Sequence, residues 1–114
     1  MPFINKISKY KLHYFTRGST SEAASDVARI YLYDDDNKSL GIVYFVKDGR
    51  PVPDNSAVET SNPKRAYLRY NERLLPRITD MLRNEKPCWV YYYGPTYAAV
   101  QTSAEPVGEE EIEE

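Results

Sequence analysis

The feature that most constrains the fold of this chain is a two-residue alternation of side chains in its first half. Aromatic and β-branched residues alternate in this way in three segments, residues 10–16, 27–33 and 40–46. Side chains of a β-strand point alternately to the two faces of a sheet, so the alternation predicts three strands. In the second segment, one face holds Ile30 and Leu32, and the opposite face holds Arg29, Tyr31 and Tyr33.

Strands are also expected in the second half of the chain. Residues 66–70 are predicted to form a short strand, and the alternative is an early turn of the helix that follows. Residues 88–93 and 96–102 are predicted to form a hairpin, because the intervening Gly94-Pro95 is a favourable turn sequence.

One segment, residues 71–84, has the pattern of a substantial helix. Its apolar residues lie on one side, Asn71 is a suitable N-cap, and Pro87 prevents the helix from continuing. The order of strands, one helix and further strands predicts an α+β fold. The expected architecture is a mainly antiparallel sheet of five or six strands, with the helix at about 71–84 packed on one face.

The length of 114 residues allows one domain. Residues 1–104 are expected to form it, with a long proline-containing loop at 49–65. The segment 105–114 holds six of the seventeen acidic residues and no Lys or Arg, so it is predicted to be a disordered acidic tail. The net charge of −2 therefore conceals a domain with an excess of basic residues. The preferred interpretation of the tail is a solubilising segment, and the alternative is that it folds back on a basic face and competes there with an anionic ligand.

The eleven tyrosines raise the question of what covers the sheet. A helix about 10 Å wide shields one face of a sheet whose strands lie about 4.8 Å apart, but not both faces. The opposite face is expected to gather aromatic residues, namely Tyr31, Tyr33, Trp89, Tyr91 and Tyr93. A second copy of the chain, the loop 49–65 or a stacked ligand would cover it, and self-association is the preferred interpretation because tyrosine and tryptophan are enriched in interfaces.

A second pattern is a four-residue repeat of arginines with tyrosines between them. The candidate binding residues are Arg65, Arg69, Arg73, Arg77, Tyr67 and Tyr70. Guanidinium groups bind phosphate in a forked geometry, and aromatic rings stack on bases, so the pattern is typical of a single-stranded nucleic-acid track. The preferred interpretation of the repeat is nevertheless a solvated helix face on which the arginines pair with neighbouring acidic residues.

No catalytic or cofactor motif is recognised. Cys88 is the single cysteine and His13 the single histidine, which excludes a disulfide within the chain and a multi-histidine metal site. The acidic residues 34–36 are interpreted as part of a hairpin turn. No glycine-rich phosphate-binding or dinucleotide-binding motif is present, so no metal or cofactor is predicted and nothing in the sequence argues for an enzyme.

Three functions follow from these patterns. The preferred prediction is a small non-catalytic interaction module that forms a homodimer through a tyrosine-rich sheet face and contacts another protein. The alternative is a single-stranded nucleic-acid-binding protein with the acidic tail as competitor. The third is a ligand carrier or enzyme with a pocket under the loop 49–65. A cytoplasmic location is expected, because neither an export signal nor a membrane-spanning apolar run is recognised.

Overall fold

A computed structural model describes residues 2–15 and 26–103, which form eight strands and one α-helix. The strands are β1 (Phe3–Ile7), β2 (Lys9–Tyr14), β3 (Asp26–Tyr33), β4 (Ser39–Val46), β5 (Ser56–Val58), β6 (Arg65–Asn71), β7 (Cys88–Gly94) and β8 (Tyr97–Gln101). A 3₁₀ turn, Glu72–Leu74, leads into helix α1 (Leu75–Asn84). The expectation of an α+β fold with one main helix is confirmed. The predicted acidic tail at 105–114 lies outside the described residues.

The strands form two sheets, so the prediction of one sheet with five or six strands is wrong. One sheet has five strands in the order β2-β3-β4-β6-β5, and the other has three in the order β1-β7-β8. The chain changes sheet at Ser8, the single residue between β1 and β2, whose backbone N–H donates to the carbonyl of Tyr33 (2.9 Å). Strand β1 was not predicted, because its sequence, FINKI, does not alternate between apolar and polar residues.

The five-stranded sheet is mixed rather than purely antiparallel. Strands β4 and β6 run parallel, whereas the other neighbouring strands are antiparallel. Parallel neighbours require a crossover connection. The segment predicted as the loop 49–65 lies in that connection, and part of it forms β5 at the edge of the sheet.

The core lies between the two sheets and the helix. Leu75, Ile78 and Leu82 on one side of α1 are buried in the same apolar cluster as Val90 of β7 and Phe45 of β4. The amphipathic pattern read from the sequence therefore marks the side of the helix that faces this core. We call the buried side of the five-stranded sheet its inner face and the opposite side its outer face.

The helix begins later than expected because its first turn is of the 3₁₀ type. The Asn71 side chain accepts a hydrogen bond from the backbone N–H of Arg73 (2.9 Å), as an N-cap does. Pro76 lies in the first turn of α1, where backbone N–H groups have no acceptor within the helix. Its missing N–H therefore removes no hydrogen bond from the helix. No helix in the described part of the chain is long and apolar enough to cross a membrane.

Candidate functional site

The outer face of the five-stranded sheet carries basic and aromatic side chains. None of them is fully buried, in contrast to the aliphatic residues of the inner face. The strand register places them in cross-strand rows. The outer-face residues are His13, Arg29, Tyr44 and Arg69 in the first row, Lys11, Tyr31, Ile42 and Tyr67 in the second, and Lys9, Tyr33 and Arg65 beyond them.

Two arginines flank a tyrosine in the first row. The guanidinium carbons of Arg29 and Arg69 lie 5.1 Å and 4.9 Å from the centroid of the Tyr44 ring, within the range of cation–π interactions. The three residues come from adjacent strands, β3, β4 and β6. The row is therefore held by backbone pairing as well as by the side chains themselves.

Each guanidinium group is also oriented by a neighbouring oxygen atom. Arg29 Nε donates to Asp26 Oδ2 (2.6 Å), and this hydrogen bond raises the pKa of Arg29 above its usual value. Arg69 Nη1 donates to the carbonyl oxygen of Asp54 (2.9 Å), and the Arg69 backbone N–H donates to Asn55 Oδ1 (2.9 Å). These hydrogen bonds hold both guanidinium groups in position on the outer face.

The second row provides two tyrosine rings on either side of Ile42. Tyr31 packs against His13, with 4.9 Å between ring centroids, and Tyr67 lies on β6. Since the register places Ile42 between them, the two tyrosines are two strands apart, which corresponds to roughly 10 Å at the usual strand spacing.

The edge of the outer face at β2 is basic. Lys11 Nζ lies 5.6 Å from the centroid of the Tyr33 ring. A groove of about 430 Å³ is lined there by Lys9, Tyr10, Lys11, Tyr33 and Asn37. The register also places Ser56 and Val58 of β5 on this face, opposite Tyr67 and Arg65. Of these thirteen outer-face residues, five are Lys or Arg and none is Asp or Glu, so the face attracts anions even with Asp26 beside Arg29.

The structure divides the arginine repeat between two surfaces. Arg65 and Arg69, together with Tyr67, belong to the outer face. Arg73 lies in the 3₁₀ turn, where its Nε is 3.5 Å from Asp48 Oδ1, and Arg77 is exposed on α1. A four-residue repeat does not make one row here, because the chain changes from strand to helix between the second and third arginines.

Tyr70, which was also predicted to bind the ligand, has a structural role. It points to the inner face, and its ring stacks on Phe45 with 6.1 Å between centroids. Its hydroxyl accepts a hydrogen bond from the backbone N–H of Val100 (3.2 Å), and burial raises its pKa. Tyr70 therefore joins the two sheets and is not available to a ligand on the outer face.

The five aromatic residues expected on one face are also divided. Tyr31 and Tyr33 lie on the outer face, whereas Trp89, Tyr91 and Tyr93 belong to β7 in the other sheet. The interpretation that they gather on one face is wrong, because β7 pairs with β1 and β8 and not with β3.

On the three-stranded sheet, the rings of Tyr91, Tyr93 and Tyr97 form a cluster with centroids 6.0–6.5 Å apart. The Tyr93 side chain is 58% exposed. Tyr91 is buried and Tyr97 is half-buried, so Tyr93 is the most exposed ring of this cluster, which lies on a different sheet from the outer face.

Cys88 and His13 do not form a catalytic pair. His13 lies on the outer face, whereas the Cys88 side chain is buried in the core. Cys88 Sγ donates to the carbonyl oxygen of Glu85 (2.8 Å), and burial, followed by the negative charge of Glu85, raises the thiol pKa. The thiol is therefore neutral at pH 7 and a weak nucleophile.

Asp34 closes the turn between β3 and β4. Its Oδ1 accepts hydrogen bonds from the backbone N–H groups of Asp36 and Lys38 (both 2.9 Å). Within residues 2–15 and 26–103, no group of three or more His, Cys, Asp or Glu side chains is arranged to hold a metal ion.

A groove of about 630 Å³ lies beside the β1–β2 junction and not under the segment 49–65. It is lined by residues 6–10 of that junction, by Asp35, and by Leu82 and residues 85–88 of the connection between α1 and β7. Sequence reasoning did not find this groove, because it depends on the packing of three segments that are distant in the sequence.

The alternation in the sequence already placed Arg29, Tyr31 and Tyr33 on one side of a strand. The alternation does not give the register between strands, and it is this register that places Tyr44, Arg69 and the residues of β2 on the same face. No protein-family model matches the chain, and comparisons with curated proteins and with solved structures find no match either.

Proposed function

We propose that this protein binds single-stranded nucleic acid on the outer face of its five-stranded sheet. The observation that carries the proposal is the row in which Arg29 and Arg69 flank Tyr44 at 5.1 Å and 4.9 Å. Open sheet faces with aromatic side chains that stack on two or three bases are a recurring solution for single-stranded recognition. Guanidinium planes serve the same purpose and also bind phosphate.

Bases and phosphates would contact different members of the outer face. Tyr31 and Tyr67, on either side of Ile42, offer ring surfaces for bases. Lys9, Lys11 and Arg65 lie at the margins, where a sugar–phosphate backbone would pass. The combination favours single strands over duplexes, since the bases of a duplex are already stacked on one another.

The first test is the salt dependence of binding to a fluorescently labelled mixed-sequence oligonucleotide, measured by anisotropy. If three to five phosphates are neutralised, we expect the affinity to fall by about 20-fold to 100-fold between about 50 and 200 mM salt. A duplex of the same sequence is the control and is expected to bind more weakly. An oligonucleotide that does not bind at low salt, or a duplex that binds equally well, would contradict the proposal.

Self-association is the second function that we propose, now through the three-stranded sheet. The observation that favours it is the cluster of Tyr91, Tyr93 and Tyr97, in which the Tyr93 side chain is 58% exposed. Tyrosine is enriched in protein interfaces, because it buries a large apolar ring and still offers a hydroxyl group. A second copy of the chain would cover this surface and leave the outer face free.

Light scattering tests this second function. We expect twice the mass of one chain at high micromolar concentration, and a shift to the monomer for Tyr93→Lys. The matched control is Tyr14→Lys, since Tyr14 is 69% exposed but belongs to the other sheet. A monomeric wild-type protein, or equal effects of the two substitutions, would refute self-association through this surface.

A further inference from the structure

The groove of about 630 Å³ beside the β1–β2 junction adjoins the basic edge of the outer face. Lys9 and Tyr10 line both this groove and the 430 Å³ groove that holds Lys11 and Tyr33. Lys9 Nζ donates to Asn37 Oδ1 (2.7 Å), which holds the lysine at the boundary between the two. The two grooves are therefore neighbours at this edge of the sheet.

The chemistry of the larger groove suits a nucleotide. Ile7, Leu82 and Cys88, all buried core residues, contribute apolar surface to its lining. Three lysines, Lys6, Lys9 and Lys86, belong to the same lining and outnumber its two acidic residues, Asp35 and Glu85. An apolar wall can pack against the face of a base, and ammonium groups donate hydrogen bonds to the phosphates on either side of it.

We infer that this groove receives one nucleotide that flanks the segment bound on the outer face. This step rests on the proposed function and extends the same site by one position. The volume is within the usual range for small-molecule sites, about 300–1,000 Å³. Lys9 would contact the backbone where the strand leaves the sheet, and Lys86 would contact the phosphate beyond it.

Anisotropy measurements with two oligothymidylates test the inference. One of about 4 nucleotides is covered by the outer face alone, and one of about 10 also reaches the groove. Lys86→Glu is expected to weaken binding of the longer oligonucleotide about tenfold and to reduce its salt slope by about 1, with the shorter one unchanged within about twofold. Lys6→Glu, on another segment of the groove, is expected to act in the same way and serves as a second variant.

The matched control is Arg77→Glu, which makes the same change in net charge at an exposed position on α1 outside both grooves. It is expected to leave both affinities within about twofold of wild type. If Lys86→Glu and Lys6→Glu bind the longer oligonucleotide as tightly as wild type, the groove is not part of the site. In that case the proposed function still stands if Arg69→Glu weakens the binding of both oligonucleotides. If wild type binds neither oligonucleotide, the proposed function itself fails.

Discussion

Arg69→Glu is expected to weaken binding of single-stranded nucleic acid by about 10-fold to 100-fold, whereas Arg77→Glu leaves it within about twofold. The Arg69 guanidinium lies 4.9 Å from the Tyr44 ring centroid on the outer face. A glutamate there removes a phosphate contact and places a negative charge in the path of the strand. Arg77 is exposed on α1, away from that face, so its reversal changes the net charge equally without touching the site.

Binding isotherms at several salt concentrations check this pair of variants. The salt slope of Arg69→Glu is expected to fall by about 1 to 2, because one phosphate contact is lost and a repulsion is added. Arg69 also donates to the carbonyl oxygen of Asp54, so the melting temperature of the variant must be measured as well. Tyr67→Ala leaves that hydrogen bond intact and is expected to cost about 1–3 kcal/mol of binding through lost stacking.

The comparison separates two arrangements of the arginines. Equal losses for Arg69→Glu and Arg77→Glu would mean that binding follows the total charge or a continuous arginine track. A loss confined to Arg69→Glu would mean that the strand face of β6 is the contact surface. The four-residue spacing of the sequence alone does not distinguish the two.

Gly41→Ala is expected to lower the free energy of unfolding by about 3 kcal/mol or more. Gly41 has φ +124°, and a Cβ atom at this position would lie 1.7 Å from the carbonyl oxygen of Ala66. Ala66 is its partner in the parallel pairing of β4 with β6. The new methyl group therefore forces two central strands apart, because it meets backbone and not a flexible side chain.

Urea unfolding, followed by the fluorescence of Trp89, measures this effect. Gly94→Ala is the control for an unstrained glycine, since nothing lies within 4 Å of its added Cβ, and it is expected to stay within about 0.5 kcal/mol of wild type. Gly49→Ala measures the backbone strain alone, because Gly49 has φ +91° and nothing lies within 4 Å of its added Cβ. It is expected to lower the free energy of unfolding by about 1 kcal/mol. If Gly41→Ala were as stable as Gly94→Ala, β4 and β6 would not approach each other as described.

These two predictions are physically linked. The parallel pairing that requires Gly41 also sets Tyr44 opposite Arg69. A variant that separates β4 from β6 would therefore disrupt the row on which the proposed function depends. Any binding measured for Gly41→Ala has to be corrected for its folded fraction.

The sequence by itself determined the local elements. The two-residue alternation marked β2, β3 and β4, whereas β1 and β5 were not predicted. The apolar side of the helix and the Asn71 cap were correct, because each depends on residues close together in the chain. The same alternation placed Arg29 beside Tyr31 and Tyr33, since the side chains of a single strand need no partner to define their face.

Only the tertiary structure decided which strands meet. Tyr44 and Arg69 are opposite each other because β4 and β6 pair in parallel across a crossover, and Trp89 lies on another sheet because β7 pairs with β1. Such pairings depend on long-range packing, for which one strand's periodicity carries no information. The division of the arginines follows from the same cause, because a spacing of four residues keeps Arg65 and Arg69 on one strand face but does not carry that face into a helix.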